Sequence, residues 1–112
     1  MCQVVVEAKN QYLLVSLSGQ LVLNCSSELK EKVKEAANEH QQYHLIVDLS
    51  QVDFIDSSGL GVLIAWFKHV NEAQGKVIYT NVTEYVYKII RLAKLDKIFT
   101  ITDSVNDAIS LI

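Results

Sequence analysis

The residues best placed to do chemistry lie in one run, Asp48-Leu49-Ser50-Gln51-Val52-Asp53-Phe54-Ile55-Asp56-Ser57-Ser58-Gly59-Leu60-Gly61. Ser57 and Ser58 form a hydroxyl pair directly behind an acid. If Asp56 caps a helix, Ser57 is its first residue, and its hydroxyl points to solvent beside unpaired backbone N–H groups. Ser57 is then a candidate phosphate acceptor, with Ser58 as the alternative. The plainer reading is an ordinary helix cap with no further role. Gly59 and Gly61 lower helix propensity by about 1 kcal/mol each relative to alanine. Close approach by the backbone of another protein is one reason to keep them.

Other chemistries fit less well. Asp48, Asp53 and Asp56 raise a metal or phospho-aspartate site, but Glu7 is the only acid near the first strand, so the constellation is incomplete. His40 and His44 are four apart, yet the intervening residues leave the helix and no third ligand follows, so they read as surface histidines. Cys25 has no recognisable nucleophile arrangement, and Gly-x-Ser-x-Gly is absent. Tyr79, Tyr85 and Tyr87 do not interleave with basic clusters, which argues against stacking on single-stranded nucleic acid. No enzyme activity, metal site or cofactor is expected.

The elements that position this run can be read from periodicity. Val4 to Val6 open a β-branched strand, Asn10-Gln11 is a turn, and Tyr12 to Leu17 alternates as a second strand. Ser18-Gly19 breaks it, with Leu21 to Leu23 as a short edge piece. Asn24 or Ser26 caps a helix to about His40, with Leu29, Val33, Ala36 and Ala37 on one face. Tyr43 to Leu49 is a near-continuous apolar run, the mark of a strand covered on both faces. A helix from Ser57 to about Ala73 follows, then a strand at Lys76 to Tyr79. Thr83 caps a helix with Val86, Ile89, Ile90 and Ala93 at core spacing. A strand at Ile98 to Ile101 and a helix from Ser104 to Ile112 close the chain. This order predicts an α/β fold of about five strands and four helices. Its mixed sheet has an antiparallel opening pair, then parallel strands joined by helical crossovers. In such sheets, sites gather where strand carboxyl ends meet helix amino ends.

In the helix after Ser57, a step of 100° per residue puts Leu60, Leu63, Ile64, Phe67 and Val70 on one core face. Val62, Trp66 and Ala73 fall on a neighbouring flank. That flank is either a wider core face or a contact patch anchored by Trp66, a residue type enriched at energetic centres of interfaces. Trp66 is taken here as a partner-binding candidate.

Composition sets the outer limits. The 112 residues suit one domain spanning 1–112, and 50% hydrophobic content supplies a core. The net charge of -3 offers no basic field for nucleic acid or an anionic membrane. Lys30, Lys32 and Lys34 alternate with Glu28, Glu31 and Glu35, a solvated helix face. The longest apolar stretch, Leu60 to Phe67, is too short to span a bilayer, and no export signal opens the chain. A cytoplasmic protein is therefore expected, with Cys2 and Cys25 as reduced thiols.

The central run closely resembles the signature of the STAS family, specifically the bacterial anti-sigma factor antagonists. Their hallmark is an apolar strand ending in Asp-Leu, a short loop, then Asp-Ser-Ser/Ala-Gly-Leu-Gly opening a helix. Here it stands as Val47-Asp48-Leu49-Ser50 and Asp56-Ser57-Ser58-Gly59-Leu60-Gly61. The likeness extends to Leu17-Ser18-Gly19-Gln20-Leu21, to Ser27-Glu28-Leu29, and to Leu95-Asp96-Lys97-Ile98-Phe99. It departs at Val22, where many antagonists carry an aspartate, and at Ala93-Lys94, where a glycine is usual.

The resemblance implies a cycle. The unmodified protein binds an anti-sigma factor that is also a serine kinase, and sigma factor is released. The kinase, which supplies the nucleotide and Mg²⁺, phosphorylates Ser57, and a PP2C-type phosphatase removes the phosphate. Asp56, Ser58, Gly59, Leu60 and Gly61 would shape the docking surface, with Val22 and Asn24 in a loop beside it. Two other readings stay open: a STAS adaptor that binds constitutively without phosphorylation, and a small hydrolase or nucleotide binder using Ser57 and the acids.

Overall fold

The β-branched run at Val4 to Val6 forms the middle of β1 (Cys2–Ala8). In the computed structural model, which describes residues 2–112, β1 pairs antiparallel with β2 (Leu13–Leu21). Val4 lies opposite Leu17 and Val6 opposite Val15. The turn between them closes with the Lys9 N–H donating to the Tyr12 carbonyl at 2.9 Å. The chain continues through α1 (Leu23–Glu39), β3 (His44–Ile55), α2 (Ser57–Glu72), β4 (Lys76–Thr80), α3 (Glu84–Leu92), a 3-10 turn at Leu95–Lys97, β5 (Thr100–Thr102) and α4 (Val105–Ile109). The sheet order is β1-β2-β3-β4-β5, and every pair after the first is parallel. The expected mixed sheet of five strands with four helices is what forms.

Alternation on β2 divides the two faces of the sheet. Leu13, Val15 and Leu17 are buried in the main core with Leu29, Val33 and Ala37 of α1, Val62, Leu63, Trp66 and Val70 of α2, and Val86 and Ile90 of α3. The other face is thinner. Ile46 and Ile78 pack there with Ala108 of α4, flanked by Tyr12, Leu14 and Val105. Tyr79 reaches from β4 to α2, its hydroxyl donating to the Leu63 carbonyl at 2.6 Å. Burial there pushes the Tyr79 phenol well above its ordinary pKa, so it stays a donor.

Several boundaries differ from expectation. β2 is not broken at Ser18-Gly19. It runs on to Leu21 through register shifts against β3, with Gly19 at φ 91°, a conformation glycine adopts freely. β3 extends to Ile55 through residues read as loop, and α1 begins at Leu23 with Val22 as its N-cap rather than Asn24 or Ser26. β5 covers Thr100–Thr102, starting two residues later and ending one residue later than the periodicity placed it. At the departure from the family pattern near residue 94, Lys94 takes the left-handed conformation at φ 62° in which glycine is usual.

Two further expectations are corrected. Cys2 and Cys25 are not free thiols: they form a disulfide. The antiparallel β1–β2 pair carries the first residue of β1 to the place where β2 hands over to α1. Trp66 is not a surface anchor either, since it is fully buried. Its flank of α2 faces α1, and the indole N–H donates to the Lys30 carbonyl at 3.2 Å. The 100° stripe marked the side facing the sheet and missed the side facing the neighbouring helix.

Candidate functional site

Three helix amino ends meet the carboxyl ends of three parallel strands: α1 follows β2, α2 follows β3 and α3 follows β4. The third junction is tied to the second by the Thr83 hydroxyl, which donates to the Val52 carbonyl at 3.1 Å. The central motif occupies the middle junction. β3 ends at Ile55, Asp56 is the N-cap of α2 in extended conformation, and Ser57 is the first helical residue.

Asp56 organises this end. Its Oδ1 accepts from the Gly59 N–H at 3.0 Å, satisfying one of the orphan donors of the first turn. Its carbonyl accepts from the Leu60 N–H at 3.0 Å, and its own N–H donates to the Leu21 carbonyl at 3.2 Å. The Gly59 bond foremost, then bonds from Ser58 and Leu23, hold the carboxyl below its ordinary pKa, with desolvation opposing. The group is therefore anionic at neutral pH. The backbone bond from Asp56 to Leu21 thus ties the amino end of α2 to the end of β2, just before α1 begins.

Around it the motif residues separate. Ser57 is exposed, while Ser58 and Leu60 are half-buried. Gly61 is exposed, and an added Cβ there would meet nothing within 4 Å. Gly59 is buried, and an added Cβ would lie 2.6 Å from Ile55 Cγ1 and against the Leu21 carbonyl oxygen. Its missing side chain thus serves the packing of α2 on β2 and β3. The reading of Gly59 as an opening for a partner's backbone is corrected on that ground, and Gly61 alone keeps that property. Val22 is half-buried as the extended N-cap of α1, and Asn24 is exposed in its first turn rather than in a loop.

Sequence reasoning missed other residues here. Ser58 and Gly61 line a shallow groove of about 210 Å³ with Ser26, Ser27 and Lys30 of α1. Leu23 is 72% exposed at the start of α1. Phe54, 39% exposed at the end of β3, stacks on Tyr85 of α3 with ring centroids 5.7 Å apart. Large apolar side chains so exposed beside Ser57 suit a contact surface. The signal for Phe54 was its place three residues before Ser57, but with β3 thought to end at Leu49 it had no assigned face.

The other acids do something different. Asp48 Oδ1 accepts from the Ser50 N–H at 2.9 Å and from Asn81 Nδ2 at 3.4 Å, locking β3 to the end of β4. Among the described residues no three His, Cys, Asp or Glu side chains gather so as to hold a metal ion. His44 Nδ1 accepts from the Lys76 N–H at 3.1 Å, a strand-edge contact. No helix among the described residues is long and apolar enough to cross a membrane.

Comparison with known proteins agrees with this geometry. The STAS domain family model matches residues 3–108. An anti-sigma F factor antagonist of Paenibacillus polymyxa is 31% identical over 108 residues, covering 96% of this chain and 92% of that protein. An anti-sigma factor antagonist from Mycobacterium paratuberculosis superposes with a TM-score of 0.84 at 25% identity, over 99% of this chain and 93% of that one. SpoIIAA, a Bacillus cell fate determinant solved in its phosphorylated form, superposes with a TM-score of 0.75 at 18% identity, over 96% and 97% of the two chains, a likeness of fold. The first two are named for antagonism, a binding role. By the match across nearly its whole length, this chain belongs to the STAS domain family.

Proposed function

We propose that this chain is an anti-sigma factor antagonist that docks, unphosphorylated, on an anti-sigma factor serine kinase and is switched off when that kinase phosphorylates Ser57. A PP2C-type phosphatase reverses the modification, and the cycle runs in the cytoplasm. The observation that carries the reading is the exposure of Ser57 as the first residue of α2, directly after its Asp56 cap.

The electrostatics of that position make a local switch. A phosphate adds about −1.5 to −2 charges at neutral pH. On the free domain the amino end of α2 tolerates an anion. In a closed interface the same group must be desolvated beside the Asp56 carboxylate, which is already ionised. Disrupting a buried contact in this way costs about 2–5 kcal/mol, or roughly 30- to 3000-fold in affinity. Val22 in place of the acid common in relatives makes the adjoining surface more apolar, and it tunes which kinase is recognised.

Incubation with ATP and the cognate serine kinase, followed by peptide mass spectrometry, should place the phosphate on Ser57. Ser57→Ala should retain affinity for the kinase while Ser57→Asp loses it by the factor above. Equal affinity of the two variants, or phosphate confined to Ser58, overturns the proposal. Tight binding with no phosphate anywhere would instead establish a constitutive adaptor.

A further inference from the structure

Two cysteines 23 residues apart in sequence meet beside this docking end. Cys2 opens β1 and pairs in register with Gly19 of β2. Cys25 is the third residue of α1, and its N–H donates to the Val22 carbonyl at 3.1 Å. Their Cα atoms are 6.5 Å apart, within the roughly 4.4–6.8 Å that a disulfide spans. Open grooves flank the link on two sides. One of about 320 Å³ lies between β1 and α1, and another of about 610 Å³ is lined by Cys2, Gln20, Val22, Asn24, Cys25 and Glu28. Both cysteines are half-buried, so small thiols and disulfides can reach them.

The turn joined by this link is held locally by the Cys25 and Ser26 N–H groups on the Val22 carbonyl and by the Ser26 hydroxyl on the Leu23 carbonyl, with no side-chain cap. α2, α3 and α4 are each capped by the side chain of their N-cap residue, whereas the N-cap of α1 is Val22, which has no polar side chain. The same turn leans on the candidate site. The Leu21 carbonyl, one residue before Val22, accepts from the Asp56 N–H at 3.2 Å. Order in the turn is thus passed to the residue immediately before Ser57.

We propose that Cys2 and Cys25 form a reversible staple whose redox state sets the order of the Val22–Cys25 turn and, through it, recognition of the Ser57 surface. The coupling to recognition rests on the docking reading above. Closure proceeds by exchange with a low-molecular-weight disulfide such as oxidised glutathione. The Cys25 thiolate attacks one sulfur of that disulfide and expels the first small thiolate. The Cys2 thiolate then attacks Cys25 Sγ in the mixed disulfide, and the second small thiolate leaves. The protein gives up two protons and two electrons, and the small disulfide becomes two thiols. Excess dithiol runs the exchange backwards.

The first test needs no kinase. The full chain is equilibrated with reduced or oxidised glutathione, quenched in acid, alkylated and weighed, and hydrogen exchange is followed over residues 20–28. The oxidised chain should take up no alkyl label, remain monomeric, and slow its exchange across Val22–Ser26 by about tenfold or more. Cys2→Ser should abolish the difference. Full labelling under oxidised glutathione, cross-linked dimers in place of the internal bond, or equal exchange in the two states overturns the staple. In a second arm the serine kinase and ATP are added at limiting kinase concentration. The oxidised wild type should be phosphorylated faster, and Cys2→Ser and Cys25→Ser should not respond to glutathione state. Equal, measurable rates in both states overturn the coupling. Zero in both states with the exchange difference intact identifies the docking reading as the part that failed.

Discussion

Gly59 and Gly61 stand two positions apart in the same helix turn and face opposite surroundings. A methyl group at Gly59 would press on Ile55 and on the Leu21 backbone, where β2, β3 and α2 converge. A methyl at Gly61 would enter open space. Gly59→Ala should therefore lower stability by about 1–3 kcal/mol, the usual cost of overpacking. Gly61→Ala should raise it by up to about 1 kcal/mol through helix propensity. Urea unfolding of the two variants checks this, and equal shifts in midpoint would show that the two positions are not packed as described. If Gly61 is kept for a partner, its alanine variant should also bind the kinase more weakly despite being more stable. At this scale the motif was legible as a motif but its division of labour was not. Asp56 as cap and Ser57 as first helical residue follow from residue type and order alone. Which glycine is buried depends on how closely α2 approaches β2, a distance that no local pattern encodes.

Between elements, the contact of α1 with α2 accounts for the largest correction. Trp66 fills the space between the helices, with its indole N–H on the Lys30 carbonyl. Trp66→Ala removes that packing and leaves a cavity, which should cost about 3–5 kcal/mol. A thermal melt checks the loss, and kinase affinity of the fraction still folded should be unchanged. Unchanged stability with weakened binding would return Trp66 to the surface. The element order and sheet topology were readable because strand and helix periods alternate cleanly from Val4 to Ile112. The far half of β3 was not, since its buried residues Val52 and Ile55 are spaced by three instead of two. The register shifts against β2 at Ser16/Ser18 and Gly19/Gln20 break the strict alternation that a sequence reader counts. The cysteine pairing was hidden for a related reason. Cys2 meets Cys25 only once β1 folds back on β2 and places Cys2 opposite Gly19.

For the molecule as a whole, the arrangement is a rigid presenter with a small responsive end. β3 sits at the centre of the sheet, with buried residues on both faces, and α1, α2 and α3 share one continuous core. Close-packed interiors of this kind resist partial adjustment. A charge added at Ser57 acts on the amino end of α2, where the helix dipole contributes about 0.3–1 kcal/mol in favour of an anion. Repulsion from the Asp56 carboxylate opposes it on the same local scale. Neither effect reaches the strands, so phosphorylation should change recognition without changing the fold. The melting midpoint of the phosphorylated chain should stay within about 5 °C of the unmodified one. Hydrogen exchange should differ only near residues 21–24 and 56–61, with protection across β2, β3 and β4 unchanged. Loss of protection spread through the sheet would mean that the phosphate acts by loosening the domain, and a partner would then be rejecting a changed shape instead of a local dianion.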